Sequence, residues 1–297
     1  MRILVTNDDG IDAPGLAALV GRLAAAGHDV AVAAPSSERS GSGTSLGGAY
    51  DGTPVTVTDH VLPAAPSVPA VGVDGPPGLA VLAACVGAFG APPDAVISGI
   101  NAGPNTGRSL LFSGTVGGAL AGAVLGRSAM AVSCGFLPDA RFDTAAEIAC
   151  AAVPLLGQPG MRGTVLNLNV PDVDLGRIKG VENGPLGQRG RIRYAIERTG
   201  SRLTVQPYLT DPADLEHGSD AGLVQAGYVS ATLLRAALGE LDSTPVTELL
   251  RRVLSGEAPR PAAGVTAAVR GSQPSSAAPR SRPADSSRSW CSSIQMS

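Results

Sequence analysis

The sequence predicts an α/β fold in which a mostly parallel sheet is covered by helices on both faces. Short apolar runs alternate with segments of helical periodicity through roughly the first 172 residues. The apolar runs are continuous, as is typical of strands that are buried on both faces. Polar loops follow several of these runs, and in a parallel sheet such loops meet at one edge, where ligands bind.

Each predicted element rests on its local pattern. The first apolar run, Ile3–Thr6, is a buried strand, and Gly15–Ala26 carries apolar residues at the i, i+3, i+4, i+7 spacing of one helix face. The same reasoning predicts strands at Asp29–Ala34, Pro54–Val61, Asp94–Ser98, Ala129–Ser133 and Val165–Asn169, and helices at Gly78–Phe89, Val116–Leu125 and Thr144–Val153, the last stopped by Pro154.

The pattern changes after Pro171. Arg191–Ile196 and Arg202–Pro207, separated by Arg198–Ser201, predict an antiparallel hairpin. Little sequence that could form a core accompanies this hairpin, and a two-stranded hairpin is marginally stable alone. Two further elements are predicted, a strand at Gly227–Leu234 and a closing helix at Val246–Leu254.

The predicted domain organisation is one folded unit followed by a tail. Residues 1–254 form the unit, with a core over about 1–172 and an arm with a C-terminal segment over 173–254. Residues 255–297 are rich in Ser, Pro, Ala and Arg, which predicts a disordered tail. Because docking on a second copy would stabilise the arm, we expect a homodimer or homotetramer.

Bulk composition excludes several classes of protein. The net charge of -3 and the pI of about 5.6 argue against binding to nucleic-acid duplexes or anionic membranes, which needs a basic surface. The four cysteines lack metal-binding spacing, which predicts buried free thiols in a reducing compartment. We expect a cytoplasmic protein, because no signal peptide and no apolar stretch of about 18–20 residues is evident.

The acidic pair Asp8-Asp9 follows the first predicted strand. Two adjacent carboxylates repel each other and lose hydration at such a position, and a hard divalent cation would relieve both costs. The alternative interpretation is an Asx-turn in which Gly10 supplies a positive φ angle. A covalent aspartyl-phosphate route is disfavoured, since it usually places a second Asp two residues after the nucleophile.

Two more polar loops follow predicted strands. Arg39–Ser45 offers hydroxyls and backbone N–H groups that could hold a metal or a phosphate, although a plain flexible connection has the same composition. In Ser98–Asn105, Asn101 provides a neutral oxygen just past a strand. Ser113-Gly114-Thr115 opens a predicted helix, where free N–H groups favour an anion, and either hydroxyl could equally be an ordinary N-cap.

Taken together, these loops resemble the SurE family, the survival-protein 5'/3'-nucleotidases. The similarity covers roughly residues 1–254 and is carried by Asn7-Asp8-Asp9-Gly10, Ala13-Pro14-Gly15, Ala34-Pro35, Arg39-Ser40-Gly41, Ser98–Asn105, Ser113-Gly114-Thr115, Asn167–Pro171 and Asp220–Ser230. The resemblance implies a Rossmann-like core, a hairpin arm and a C-terminal element that exchanges between subunits. It also implies phosphomonoester hydrolysis on nucleoside monophosphates.

By motif position, the resemblance implies one divalent cation per subunit, Mn²⁺ or Mg²⁺, held by Asp8, Asp9, Ser40 and Asn101. With Ser113, the residues Asp8, Asp9 and Asn101 are the predicted catalytic set. Phosphate contacts are expected from Asn7, Gly41, Ser42, Asn105, Ser113, Gly114 and Thr115.

Two departures from the family pattern leave the substrate open. Gly47 stands where the family usually has threonine, and Gly75–Ala80 lacks the polar groups of the corresponding family segment. A phosphatase for another nucleoside-like metabolite therefore remains an alternative, as does a non-catalytic nucleotide-binding protein. A Rossmann dinucleotide enzyme is disfavoured, because no GxGxxG motif follows the first strand.

Overall fold

The structure is a computed structural model that describes residues 1–49 and 52–236. Its strands are β1 (Arg2–Thr6), β2 (Asp29–Pro35), β3 (Val57–His60), β4 (Ala70–Val73), β5 (Ala95–Asn101), β6 (Ser128–Ser133), β7 (Thr164–Asn169), β8 (Val181–Asn183), β9 (Ile192–Thr199), β10 (Arg202–Leu209) and β11 (Val229–Arg235). Its α-helices are α1 (Pro14–Ala25), α2 (Pro77–Cys85), α3 (Gly114–Val124), α4 (Phe142–Leu156) and α5 (Asp220–Gln225).

Nine of these strands form one sheet in the order β3-β4-β2-β1-β5-β6-β7-β11-β8. All neighbours run parallel except β3 beside β4 and β11 beside β7. The order reverses at β1, because β2 lies on one side of it and β5 on the other. A reversal of this kind opens a crevice at the carboxyl ends of the two central strands. The predicted α/β architecture is confirmed.

The helices divide between the two faces of the sheet. Helices α1 and α4 pack against each other over one apolar cluster, and α2 and α3 pack together over a second. Helix α3 is built of small residues, so it approaches the sheet closely. A Cβ atom added at Gly122 would lie 2.6 Å from Val96 Cγ2 on β5. Small side chains therefore bring the start of α3 against the central strands.

The structure corrects two predicted helix ends. Helix α2 ends at Cys85 instead of Phe89, and the turn that follows it contains Gly87 with a φ of 91°. Helix α4 does not stop before Pro154 but runs through it to Leu156. Proline in the last turn removes only one hydrogen bond, and Leu156 is 3% exposed within the apolar cluster of that face. Burial of Leu156 offsets the lost bond.

Several short elements were not predicted. Strands β4 and β8 have four and three residues, and α5 has six, so none carries a full period of sequence pattern. Strand β3 is also shorter than the predicted Pro54–Val61. These elements lie away from the central crevice, apart from α5, whose first residue, Asp220, holds a loop that borders the crevice.

The predicted hairpin is confirmed as β9 and β10, which form a separate two-stranded sheet. Its turn is Gly200-Ser201, shorter than expected, and Gly200 has a φ of 63°. The predicted closing helix Val246–Leu254 and the tail from Ser255 lie outside the described residues, so the boundary at residue 254 stays a prediction.

Two further expectations concern the described residues alone. Cys85, Cys134 and Cys150 are buried free thiols as predicted, whereas Cys291 lies outside the described ranges. Within residues 1–49 and 52–236, the helices are all too short or too polar to cross a membrane.

Candidate metal and phosphate site

The three polar loops meet in one pocket at the reversal point of the sheet. Strands β1 and β5 run side by side with Thr6 opposite Ser98, so the residues that follow them emerge at the same edge. A pocket of about 150 Å³ lies there. All four predicted metal ligands line it, namely Asp8, Asp9, Ser40 and Asn101. The sequence therefore identified the residues that the topology brings together.

Asp8 is held from behind by the start of α3. The Thr115 hydroxyl and the Gly114 N–H both donate to its carboxylate. A Cβ atom added at Gly114 would lie 2.6 Å from Asp8 Cβ, so only glycine allows this approach. The Asp8 carbonyl also accepts the Arg39 N–H at 2.7 Å. Asp8 thus joins the first loop to the second loop and to α3.

Burial shapes the charge of the acidic pair. It raises the pKa of Asp8, although hydrogen bonds from Thr115 and Gly114 act in the opposite direction. For Asp9, burial first and then the charges of Asp8 and Glu38 raise the pKa to about 7. Two ionised carboxylates at this position are therefore costly without a nearby positive charge.

Asn101 presents its amide oxygen to the same place. Its Nδ2 donates to the Gly103 carbonyl at 2.6 Å, which turns Oδ1 away from the backbone and leaves it 3.2 Å from Thr115 Oγ1. The register of β5 against β6 shifts between Ser98 and Asn101. This irregularity ends the regular strand and carries Asn101 into the pocket. Oxygen atoms of Asp8, Thr115 and Asn101 consequently converge.

The second polar loop, Arg39–Ser45, follows β2 and is called the Ser/Gly loop; its residues Ser40 and Gly41 line the pocket. Ser40 is exposed at the pocket, and the Gly43 N–H donates to the Phe112 carbonyl at 3.3 Å. A Cβ atom added at Gly117 of α3 would lie 1.8 Å from the Gly43 carbonyl oxygen. Direct contact between the helix backbone and the loop fixes the position of Ser40.

The first turn of α3 serves two purposes. Ser113 is the N-cap, because its Oγ accepts the Val116 N–H at 3.1 Å. It also lines the pocket, together with the predicted phosphate residues Gly41 and Asn105. The other predicted phosphate residues do not line the pocket; they are Asn7, Ser42, Gly114 and Thr115. The Asn7 amide instead donates to the Gly10 carbonyl at 2.8 Å, and Gly114 and Thr115 donate to Asp8. Phosphate contacts by any of these residues stay a prediction.

The third polar loop, Ser98–Asn105, is held by two buried asparagines for which the sequence predicted no role. Asn167 and Asn169 on β7 both donate to the Asn105 carbonyl at 3.0 Å, and Asn169 Oδ1 accepts the Asn105 N–H at 2.7 Å. The Asn105 side chain in turn donates to Ser133 Oγ at 2.9 Å. Two fully buried amides at i and i+2 in an apolar strand are the signal in the sequence that could have found this clamp.

Asp220 attaches the same loop to the hairpin. It is fully buried and accepts the N–H groups of Gly107 at 2.7 Å, Gly187 at 3.0 Å and Ala221 at 2.9 Å. The Thr106 hydroxyl accepts the Arg191 N–H at 3.0 Å, just before β9 begins. The base of the hairpin therefore borders the pocket, and Ile192 and Tyr194 line it.

The polar groups of the pocket suit a hard cation. Among the described residues that line it, none is Lys, Arg or His. Nowhere among the described residues do three or more His, Cys, Asp or Glu side chains lie close enough together to hold a metal ion. The donors that the pocket offers are therefore two carboxylates, a hydroxyl and an amide. Oxygen donors of this kind fit Mg²⁺ or Mn²⁺.

Comparison with known proteins identifies the family. The family model described as survival protein SurE matches residues 3–193. The chain belongs to the SurE family. The crystal structure of SurE from Aquifex aeolicus aligns with a TM-score of 0.68 and 30% identity, covering 84% of this chain and all of that one. Membership of the SurE family confirms the resemblance that the loop motifs carry.

Two curated SurE relatives are close in length and sequence. The 5'-nucleotidase SurE of Stenotrophomonas maltophilia is 38% identical over 247 residues, which cover 80% of this chain and 91% of that protein. The 5'/3'-nucleotidase SurE of Erwinia tasmaniensis is 37% identical over 242 residues, with the same coverage. This SurE chain therefore matches its relatives over nearly their whole length.

Proposed function

We propose that this chain is a metal-dependent phosphomonoesterase that hydrolyses nucleoside 5'-monophosphates. The observation that carries the proposal is the pocket's charge: two desolvated carboxylates face a space that has no cationic side chain among its described lining. A phosphate dianion can enter such a pocket only with a cation. The names of the relatives, 5'-nucleotidase and 5'/3'-nucleotidase, support the nucleotide as substrate.

Asp8, Asp9, Ser40 and Asn101 would hold the cation, because all four line the pocket and offer oxygen atoms. When bound, the ion would polarise a phosphoryl oxygen and lower the pKa of a water molecule. Thr115 has a single hydroxyl proton and donates it to Asp8, so Asn101 Oδ1, at 3.2 Å from Thr115 Oγ1, keeps its lone pairs available for the cation.

Other residues of the pocket can hold the phosphate. Ser113 Oγ accepts a hydrogen bond from Val116, which leaves its own proton free to donate. Asn105 Nδ2 carries two protons, and only one is directed at Ser133. Donors that are fixed in advance stabilise the charge that develops on the phosphoryl oxygens. The Asn167 and Asn169 clamp keeps Asn105 in place for this role.

The test is phosphate release from AMP, 3'-AMP and short polyphosphate in Mn²⁺, in Mg²⁺ and in a chelator. We expect hydrolysis of AMP that requires the metal and is lost in Asp9→Asn. Equal rates with and without metal, in both the wild type and the variant, would contradict the proposal. The three buried free thiols support a reducing compartment, so we expect the activity in the cytoplasm.

A second copy of this chain is the proposed partner of the hairpin. Strand alternation and register place Ile196, Leu203 and Val205 on one face, exposed by 67%, 63% and 52%. The opposite face carries polar residues, among them Glu197 opposite Thr204. An amphipathic two-stranded sheet is marginal alone, and a self-complementary contact would cover its apolar face.

Light scattering during size-exclusion chromatography tests the assembly. We expect a multiple of the 29.5 kDa chain mass for the wild type. Ile196→Asp is expected to shift the mass toward the monomer, whereas Gln206→Asp on the polar face, opposite Ala195, is the matched control and should leave it unchanged. A wild type that elutes as a monomer at micromolar concentration would contradict the proposed partner.

A further inference from the structure

Two exposed aromatic rings border the candidate phosphatase pocket. The whole chain contains only four Phe, four Tyr and one Trp. Phe112 and Tyr194 both line this one pocket and are 62% and 49% exposed. Among the phenylalanines that the structure describes, Phe112 alone is exposed. A sequence this poor in aromatics thus leaves two of them in water at the mouth of its candidate active site.

The direction of the Tyr194 side chain is set by β9. Side chains alternate along a strand, and Ile192 and Tyr194, two positions apart, both line the pocket. Arg193 between them lies on the other face, where its guanidinium stands 5.6 Å from the centre of the Tyr208 ring. The base of β9 is tied to the third loop through Arg191 and Thr106. Tyr194 therefore reaches the pocket from a fixed backbone.

The backbone of Phe112 is also fixed. Phe112 ends the 3₁₀ helix Arg108–Phe112 and precedes Ser113, the N-cap of α3. Its carbonyl accepts the Gly43 N–H at 3.3 Å. The backbone of Phe112 is thus tied to the Ser/Gly loop and lies within one residue of a predicted phosphate contact.

The pocket lining consequently combines two chemically different sets of residues. Asp8, Asp9, Ser40 and Asn101 supply oxygen atoms, and Leu110, Phe112, Ile192 and Tyr194 supply apolar surface. A ligand that suits both sets carries a phosphate and a planar apolar group on the same molecule. Planar nucleobases stack on exposed aromatic side chains, and the stacking tolerates different bases because each has a π-face.

We propose that Phe112 and Tyr194 form a stacking subsite for the nucleobase, so that the pocket selects phosphate esters with an aromatic base over esters without one. The inference rests on the proposed phosphatase function and names the residues that determine its specificity. Since stacking involves no hydrogen-bond readout, the subsite discriminates weakly between purine and pyrimidine bases.

The experiment compares two substrates that differ only in the base. The value of kcat/KM is measured with Mn²⁺ for AMP and for ribose 5-phosphate, on the wild type, Phe112→Ala and Tyr194→Ala. Each variant is expected to lower kcat/KM for AMP by about tenfold, mainly through a higher KM, and to leave ribose 5-phosphate unchanged. Phe112→Tyr and Tyr194→Phe should restore the preference for AMP, because they keep a ring.

Tyr208→Ala is the matched control, since it removes an aromatic ring from the opposite face of the same hairpin. It should change neither substrate's kcat/KM. Light scattering on each variant separates a change of assembly from a loss of stacking, which is needed because Tyr194 shares the face of β9 that carries Ile196. Equal losses for AMP and ribose 5-phosphate, or no loss for AMP, would overturn the subsite.

Failure of the proposed function has a different signature. A wild type that hydrolyses neither ester with Mn²⁺ contradicts the phosphatase proposal, and titration calorimetry with AMP and ribose 5-phosphate then tests the subsite by itself. Tighter binding of AMP that Tyr194→Ala or Phe112→Ala abolishes would support the subsite. Equal binding of the two esters by the wild type would overturn it.

Discussion

The candidate site and the hairpin differ in how the chain supports them. At the site, Asp8 is 3% exposed and contacts groups from the Arg39 loop and from the start of α3. In the hairpin, fifteen of the sixteen strand residues are exposed and the sixteenth is half-buried. Burial and hydrogen bonds within one chain are thus enough to fix the site, whereas the hairpin keeps an apolar face that the described residues do not cover.

The two regions meet at one tight junction. A Cβ atom added at Gly190 would lie 2.2 Å from the Thr106 carbonyl oxygen, and one added at Gly107 would lie 2.4 Å from the Gly190 nitrogen. Asp220 accepts the Gly107 N–H beside this contact. Because Asn105 is only two residues away, movement of the hairpin base would be transmitted to the predicted phosphate contact.

The largest expected difference between the regions is in activity. Asp8→Asn should lower metal-dependent kcat by on the order of a thousandfold, because it removes a ligand charge at the reacting centre. Glu197→Gln makes the same chemical change on the hairpin and should leave kcat unchanged. Phosphate release from AMP with Mn²⁺ measures both. An Asp8→Asn variant that keeps most of the wild-type rate would contradict the proposed ligand set.

The next difference is in tolerance to added volume. Gly117→Ala should lower the free energy of unfolding by about 3 kcal/mol, since the new methyl would lie 1.8 Å from the Gly43 carbonyl oxygen. Gly48 lies three residues beyond that loop, and a Cβ atom added there would have nothing within 4 Å, so Gly48→Ala should change stability by less than about 0.5 kcal/mol. Urea unfolding monitored by circular dichroism measures both. Similar stabilities for the two variants would show that the loop around Gly43 can move away from α3 at little cost in free energy.

The junction should respond more weakly. Asp220→Asn keeps the shape of the side chain but weakens the acceptor of three backbone N–H groups. We expect the free energy of unfolding to fall by about 2 kcal/mol. Hydrogen exchange at Gly107 and Gly187 should become faster, while exchange in β1 at the sheet centre stays slow. Unchanged exchange rates at both glycines would show that Asp220 does not hold the base of the hairpin against the site.

Much of the candidate site could be predicted because two of its proposed ligand groups lie at the ends of strands. Asp8 follows β1, and Asn101 ends β5, so a parallel sheet brings both to one edge once the strands are identified. The sequence could not show that Gly114 and Thr115 turn toward Asp8. That orientation depends on how closely α3 approaches β1, which is set by contacts such as the one between Gly117 and Gly43.

The contribution of the hairpin to the pocket could not be predicted. Tyr194 lies more than ninety residues after Asn101 in the chain, and its position depends on the hydrogen bonds of Thr106 and Asp220. A hairpin pattern predicts which residues share a face but not what that face contacts. The missed elements have a similar cause, because β4, β8 and α5 are too short for a periodic signal and form through tertiary contacts.

The smallest expected effect concerns pH. Burial, Asp8 and Glu38 raise the pKa of Asp9 to about 7, so the metal-free carboxyl is mostly protonated below that pH and ionised above it. Cation binding must displace this proton in acid, so Mn²⁺ affinity should fall by about fivefold from pH 7 to pH 6 and level off above about pH 8. Titration calorimetry in buffers of different ionisation enthalpy measures the affinity and the proton release. Asp9→Asn should release fewer protons at pH 6.5, and an affinity that is constant from pH 6 to pH 8 would contradict a cation ligand at Asp9 with a pKa near 7.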